Sequence, residues 1–250
     1  ALRANTTGSD NTAVGQNALV ANTTGETNVA VGATALDANT SADANTAVGY
    51  GSLGVNTTGA SNTAVGAYSL DTNTTGGENV AIGYEALTNN TTAGNNVAVG
   101  KDALRANTTG NTNIAIGTDA MTTNVAADRN VAIGEQALQN MTAATSTDTY
   151  NIGIGYNAGL SITSGLRNTA VGGLALDANT TGNGNTAVGF GAGTDLTTAT
   201  RLVAVGYNAA KDITTGGFTT AIGYEALQSV TEAGSNTAIG SRCLEDCTSG

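Results

Sequence analysis

A three-residue apolar or β-branched run closed by glycine returns along this chain at a fixed interval. It first reads Asn11-Thr12-Ala13-Val14-Gly15, then Asn28-Val29-Ala30-Val31-Gly32, and recurs from Asn45, Asn62, Asn79, Asn96, Asn113 and Asn130. Each step is 17 residues. After one gap of 21 the run resumes at Asn151 and continues at 17 from Asn168, Asn185, Leu202, Thr219 and Asn236. Fourteen copies occupy almost the whole sequence. A constant period of this size marks a repeat architecture, and every other reading depends on it.

The unit reads N-T-A-V-G-x-x-A-L-x-x-N-T-T-G-x-x, numbered here as positions 1 to 17. Positions 2 to 4 are Thr, Val or Ile, then Ala, then Val or Ile. That is a short β-prone run. Asn at position 1 and Gly at position 5 bracket it as turn residues. Ala-Leu at positions 8 and 9 is a second apolar pair, and Asn-Thr-Thr-Gly at positions 12 to 15 is a second turn. A span of 17 residues is too short for a helix, a strand and their connections. It suits one coil of a parallel β-solenoid, each strand pairing with its copy one coil on at about 4.8 Å. The sequence therefore predicts an all-β chain, a parallel β-solenoid or β-roll of about fourteen coils, with 1–250 as a single repeat domain.

Glycine holds position 5 in all fourteen copies. The turn glycines Gly15, Gly32, Gly49, Gly66, Gly83 and Gly100 are expected to need a positive φ and to have no room for a side chain. Gly or Ala at position 15 points to crowding or a positive φ there as well. Lys, Arg, Asp and Glu are absent from positions 1 to 5, 8 and 9 of every copy. These are read as inward or ladder positions, with an asparagine ladder at position 1. Charges such as Glu26, Asp37, Asp71, Glu85, Lys101, Arg105, Glu135, Asp177 and Lys211 fall elsewhere and face water.

Position 9 is usually Leu with Asn at position 12, as in Leu19 with Asn22 and Leu104 with Asn107. Three copies carry Gly159, Gly193 or Ala210 instead, and these place Ile162, Leu196 or Ile213 at position 12. Volume removed at one place returns at the other, so the two positions share one buried space. Leu227 with Val230 fits this less well. Burial at position 12 makes the second turn a candidate for contact between subunits, with Leu87, Leu104, Ile162, Leu196 and Ile213 as its residues. Four extra residues within 139–150 are expected to form an outward loop.

Composition narrows the function. The chain has 35 Gly, no Pro, Trp or His and two Phe, so a broad globular core cannot be filled, while a thin core stacked coil by coil can. A net charge of −11 disfavours nucleic acid and anionic membranes. No apolar run approaches the roughly 20 residues of a membrane helix, so no membrane insertion is expected. Both ends cut a repeat, which suggests a segment of a longer protein. Cys243 and Cys247 lie at positions 8 and 12 of the last repeat. They are either a disulfide suited to an oxidising setting or two small buried residues. With no His, no zinc site and no usual general base is present, and no cofactor is implied. No enzyme is expected.

The Asn-Thr/Val-Ala-Val/Ile-Gly core resembles the head repeats of trimeric autotransporter adhesins of the YadA type. The longer unit with its Asn-Thr-Thr-Gly turn, as in Asn168 to Gly182, resembles repeats of bacterial and phage tail-fibre-like proteins. The resemblance covers the whole chain, although the adhesin repeat is shorter and the extra length here sits in the second turn. It implies a left-handed β-roll, three chains side by side, extracellular or on a virion. It implies a structural fibre or adhesin segment whose partners are copies of itself and a cell-surface receptor or glycan. Against this stands an ice-binding solenoid, since positions 13 and 14 could form Thr ladders. Consecutive Thr would point to opposite faces of a strand, however. The N-T-[ST] triplets starting at Asn5, Asn22, Asn39, Asn56, Asn73, Asn90, Asn107 and Asn179 are either glycan acceptors or turn chemistry. Tyr at position 6 (Tyr50, Tyr84, Tyr156, Tyr207, Tyr224) is either a binding stripe or a set of ordinary exposed aromatics.

Overall fold

The computed structural model describes residues 1–142 and 147–245. The chain divides into two compact units, one of Ala1–Asp128 and one of Asp148–Gly250 with the segment from Arg129. Each is a parallel β-solenoid with the 17-residue spacing, and among the described residues there is no helix. The four-residue insertion includes 143–146, which lie outside the described residues, as does Cys247 and with it the Cys243–Cys247 pairing.

The first unit stacks seven strands in sequence order: Thr12–Val14, Val29–Val31, Thr46–Val48, Thr63–Val65, Val80–Ile82, Val97–Val99 and Ile114–Ile116. All pairs are parallel and in register, so Thr46 lies beside Thr63 and Ala47 beside Ala64. The second unit repeats the arrangement with seven more, Val131–Ile133, Ile152–Ile154, Thr169–Val171, Thr186–Val188, Val203–Val205, Thr220–Ile222 and Thr237–Ile239. Val131 pairs with Ile152 across the wider gap without loss of register. Coil-to-coil bonding continues beyond the strands. Leu36 N donates to Ser52 O at 3.0 Å and Thr23 N to Thr40 O at 2.8 Å. In this way the turns keep their backbone groups satisfied. Thr215–Gly217 and Glu232–Gly234 form a second, two-stranded parallel ladder at the second turn.

The strands bury one residue in three. Position 3 points in, and Ala30, Ala47, Ala64, Ala81 and Ala98 are fully buried. Positions 2 and 4 point out, because successive strand residues face opposite sides. Val or Ile at position 4, expected among the inward or ladder positions, forms its ladder on the outside. The interior has no space for more than a methyl group beside the strand. At Gly153, even an added Cβ would stand 2.8 Å from Leu138 Cγ.

In most coils of the first unit the core is completed by Ala at position 8, Leu at position 9 and the asparagines of positions 1 and 12; in the second unit an aliphatic side chain takes position 12 in most coils. Position 9 and position 12 do share one space: a Cβ on Gly159 would lie 2.8 Å from Leu138 Cδ2 and 2.9 Å from Ile162 Cδ1. The leucines adopt the left-handed backbone conformation, with φ of 50 to 52° from Leu2 to Leu104 in the first unit. Such a φ costs a side-chain-bearing residue about 1–3 kcal/mol, which burial of the side chain offsets by about 1.5–3 kcal/mol. Gly159 and Gly193 therefore relieve strain as well as removing volume.

Positions 7 and 17 are left-handed too, as at Glu85 (φ 55°) and Glu78 (φ 60°). Glu78 is exposed, and its side chain offsets nothing there. The chain itself uses glycine at position 17 once, Gly184 (φ 68°). Glu78→Gly is therefore expected to stabilise the fold by about 0.5–1 kcal/mol, read as a higher midpoint in thermal unfolding. A lower midpoint would show that the left-handed turn carries no strain at this site.

Candidate functional site

The turn at position 5 sets the strand's outward face. Gly15, Gly32, Gly49, Gly66, Gly83 and Gly100 have φ between 132 and 141°. A Cβ on Gly100 would stand 2.5 Å from Gly117 O and 2.6 Å from Gly117 C, in the backbone of the next coil. Position 15 is tight for a different reason. Gly25 has ordinary φ, but a Cβ there would meet Ala42 O and Asn22 Oδ1, both at 2.5 Å. Ala42 and Ala93 show that a methyl group is nonetheless accommodated elsewhere in that column. Only Gly216 of this set has a positive φ among the described residues (106°).

Beyond this turn the strands of each unit present two columns to the outside. Position 4 offers Val or Ile throughout; Ile82 is 40 % exposed, Ile116 38 % and Ile154 37 %. Position 2 alternates Thr, Val and Ile. No charged side chain interrupts either column. Uncharged, and apolar along position 4, this surface differs from the acidic remainder of the molecule. Its outward aim was missed in the sequence reading, though one signal pointed to it: Thr replaces Val freely at position 2, whereas position 3 never exceeds Ala.

Leu87, Leu104, Ile162, Leu196 and Ile213, expected at a subunit contact, are 0 or 1 % exposed in the single chain. This corrects that expectation: their surface is consumed by their own coil and its neighbours, leaving none for a partner. The Asn-Thr-[Ser/Thr] asparagines of position 12 are likewise internal from Asn22 onward, while Asn5, in the first coil, is exposed. Asn73 Nδ2 donates to Asn56 Oδ1 and to Gly76 O, both at 2.9 Å, and its Oδ1 accepts from Asn90 Nδ2 at 2.8 Å. Such links run from Asn5 to Asn124. In the folded chain Asn22, Asn39, Asn56, Asn73, Asn90, Asn107 and Asn179 are fully buried and out of a glycan's reach. At position 1 the ladder takes another form. Asn45 Oδ1 accepts from Asn62 N at 2.9 Å, and Asn45 Nδ2 donates to Gly59 O at 2.9 Å.

Aromatic side chains collect at positions 6 and 7. In the second unit Phe190, Tyr207 and Tyr224 stack face to face, with ring centroids 5.8 and 5.5 Å apart. The Arg242 guanidinium caps the row, 5.6 Å from the Tyr224 ring. In the first unit Tyr50, Tyr68 and Tyr84 meet edge to face instead, because Tyr68 stands at position 7. Tyr50 and Tyr68 line a groove of about 300 Å³ together with Asp37 and Asp71. Burial raises both carboxyl pKa values, and the Asp37 charge raises that of Asp71 further. Burial likewise pushes Asp177 up to about 6.

Among the described residues no three of His, Cys, Asp and Glu converge to hold a metal ion, and no helix is long and apolar enough to cross a membrane. Comparison of the chain with protein-family models, with curated proteins and with solved structures returned no match.

Proposed function

We propose that this chain is a structural segment of an extracellular fibre or adhesin, displayed on a cell or virion surface. It assembles with copies of itself, as a homotrimer, into a rigid shaft that contacts a cell surface. The outward strand face carries the reading. In each unit seven in-register strands aim Val and Ile outward at position 4. A contiguous apolar surface rimmed by polar residues is an interaction site in soluble proteins. It is also a regular surface that an identical copy can match coil for coil. The repeat's likeness to adhesin heads and tail fibres points the same way, and supplies the left-handed sense of the coil and the count of three.

Sedimentation equilibrium tests this. The wild-type chain is expected to be oligomeric at micromolar concentration. Val65→Asp with Ile82→Asp, two outward changes, should yield a monomer with unchanged β-type circular dichroism. Leu87→Asp should instead unfold the chain, since it buries an unpaired charge. A stable wild-type monomer would reject self-assembly. It would favour the second reading, an ice-binding solenoid, for which the same face supplies paired Thr-x-Val strands as in Thr46–Val48 and Thr63–Val65. Thermal hysteresis of the monomer would then be the deciding measurement.

A further inference from the structure

The second unit contains a groove of about 450 Å³ lined by Leu166, Arg167, Asn183, Gly184, Thr200 and Arg201. Arg167 and Arg201 occupy position 17 two coils apart, at φ 57 and 58°. The coil between them has Gly184 at that position, and its missing side chain opens the groove. The spacing between the two arginines' coils is about 10 Å.

The two guanidiniums stand out by what they lack. The chain has eight Lys plus Arg against nineteen Asp plus Glu. Lys101, Arg105, Arg129, Lys211 and Arg242 each have a carboxylate within 4 Å. Among the described residues, Arg167 and Arg201 form no ion pair, Arg3 near the N-terminus being the other case. In so acidic a chain, two unpaired cations on one groove are a local reversal of charge. No Asp or Glu lines that groove.

The remaining lining groups add donors. Asn183 Oδ1 accepts from Leu166 N at 2.7 Å, which turns the carboxamide so that its NH₂ remains available. Thr200 supplies a hydroxyl. Arg201 is braced: its guanidinium lies 4.9 Å from the Phe218 ring, and its Cγ would be 3.8 Å from a Cβ on Gly184. Stacking on a ring leaves the guanidinium edge, with its paired N–H groups, facing outward. Phe218 itself is 60 % exposed, an apolar platform beside the charge.

From this donor set we infer that the groove binds an oxyanion carried on a sugar, a carboxylate or sulfate ester of an acidic glycan. Arginine grips such groups bidentately, Asn183 and Thr200 suit neighbouring hydroxyls, and the Phe218 ring suits a sugar face. This deepens the cell-surface contact of the proposed fibre and rests on that reading only for where the glycan is met. Self-assembly is not required.

The full chain is tested by surface plasmon resonance on immobilised heparin, polygalacturonate and neutral dextran at low salt. Because the chain as a whole is repelled by polyanions, diffuse charge attraction cannot imitate a site. Binding to at least one acidic polymer and not to dextran is expected. Arg167→Gln with Arg201→Gln should raise Kd about tenfold or more, the loss of a charge-assisted contact. Lys101→Gln with Arg105→Gln, which removes paired cations, should change it less than about twofold. Equal losses in the two double variants, or no preference over dextran, would overturn the inference. So would inhibition by inorganic sulfate at the same concentration as by the matching monosaccharide, which would make the ligand a free oxyanion. Sedimentation run in parallel separates the two ideas: a monomer that binds keeps the groove and loses the fibre, and an oligomer that does not bind does the reverse.

Discussion

Gly100→Val is expected to destabilise the fold by about 4 kcal/mol or more, the range reached only by severe steric or burial faults. Two independent penalties act at once. The residue sits at φ 136°, outside the range a β-branched residue adopts. Its Cβ would also stand 2.5 Å from Gly117 O, a backbone atom that cannot swing aside. Moving it would break the coil-to-coil bonding on which the turn depends, including Gly117 N to Val99 O at 2.8 Å. The neighbouring Lys101→Val touches an exposed side chain and should stay within about 0.5 kcal/mol. Urea unfolding of the two variants measures the difference. Similar midpoints would mean that the stack can shift to admit a side chain, and the close approach of successive coils would lose its assigned importance.

Asn73→Ala is expected to cost about 3–5 kcal/mol. The side chain makes three hydrogen bonds in a fully buried ladder. Its loss leaves the buried Asn56 Oδ1 without a partner, at about 1–3 kcal/mol, and takes one bond each from Gly76 O, which keeps Asn62 Nδ2, and Asn90 Nδ2, which keeps Ala93 O, at about 0.5–1.5 kcal/mol apiece. Thr75→Ala, two residues on and exposed, should cost no more than about 0.5 kcal/mol. If Asn73→Ala unfolds at the same denaturant concentration as Thr75→Ala, the amides are not holding the coils together. The ladder is a property of the first unit in particular. In the second, position 12 carries Met141, Ile162, Leu196, Ile213 and Val230, with Asn179 between aliphatic neighbours. There the same column is held by apolar packing.

These two substitutions probe what stacking does to ordinary residues. An asparagine in a surface turn is worth little. Repeated at 17-residue intervals it becomes internal, because each copy's amide is brought to the next at hydrogen-bond distance. Taken one turn at a time, the Asn-Thr-Thr sites read as either glycan acceptors or turn chemistry. From Asn22 onward the coil above and the coil below close them.

Several features were legible without coordinates because they are consequences of identity under translation. If every seventeenth residue is alike and strands pair with their copies, the ladders must be parallel and in register, as Ala47 beside Ala64 shows. Charges excluded from positions 1 to 5, 8 and 9 had to leave an uncharged ladder surface. The exchange of Leu at position 9 for an aliphatic at position 12 could be inferred from volume alone, and Gly159 against Ile162 displays the shared space.

What only the tertiary structure decided is which side of each repeated position faces in. The cross-section of a coil depends on how all 17 residues close, and a sequence period carries no information about that width. The interior proved wide enough for Ala at position 3 and for a left-handed Leu at position 9, so Val and Ile of the strand were left outside and Leu87 and Leu104 were taken inside. The candidate contact surface therefore lies on the strand face, where position 4 faces water. The groove at Arg167 and Arg201 has the same origin. The two arginines are 34 residues apart in the chain, and only stacking at one coil per step, with Gly184 between them, makes them neighbours around an open space.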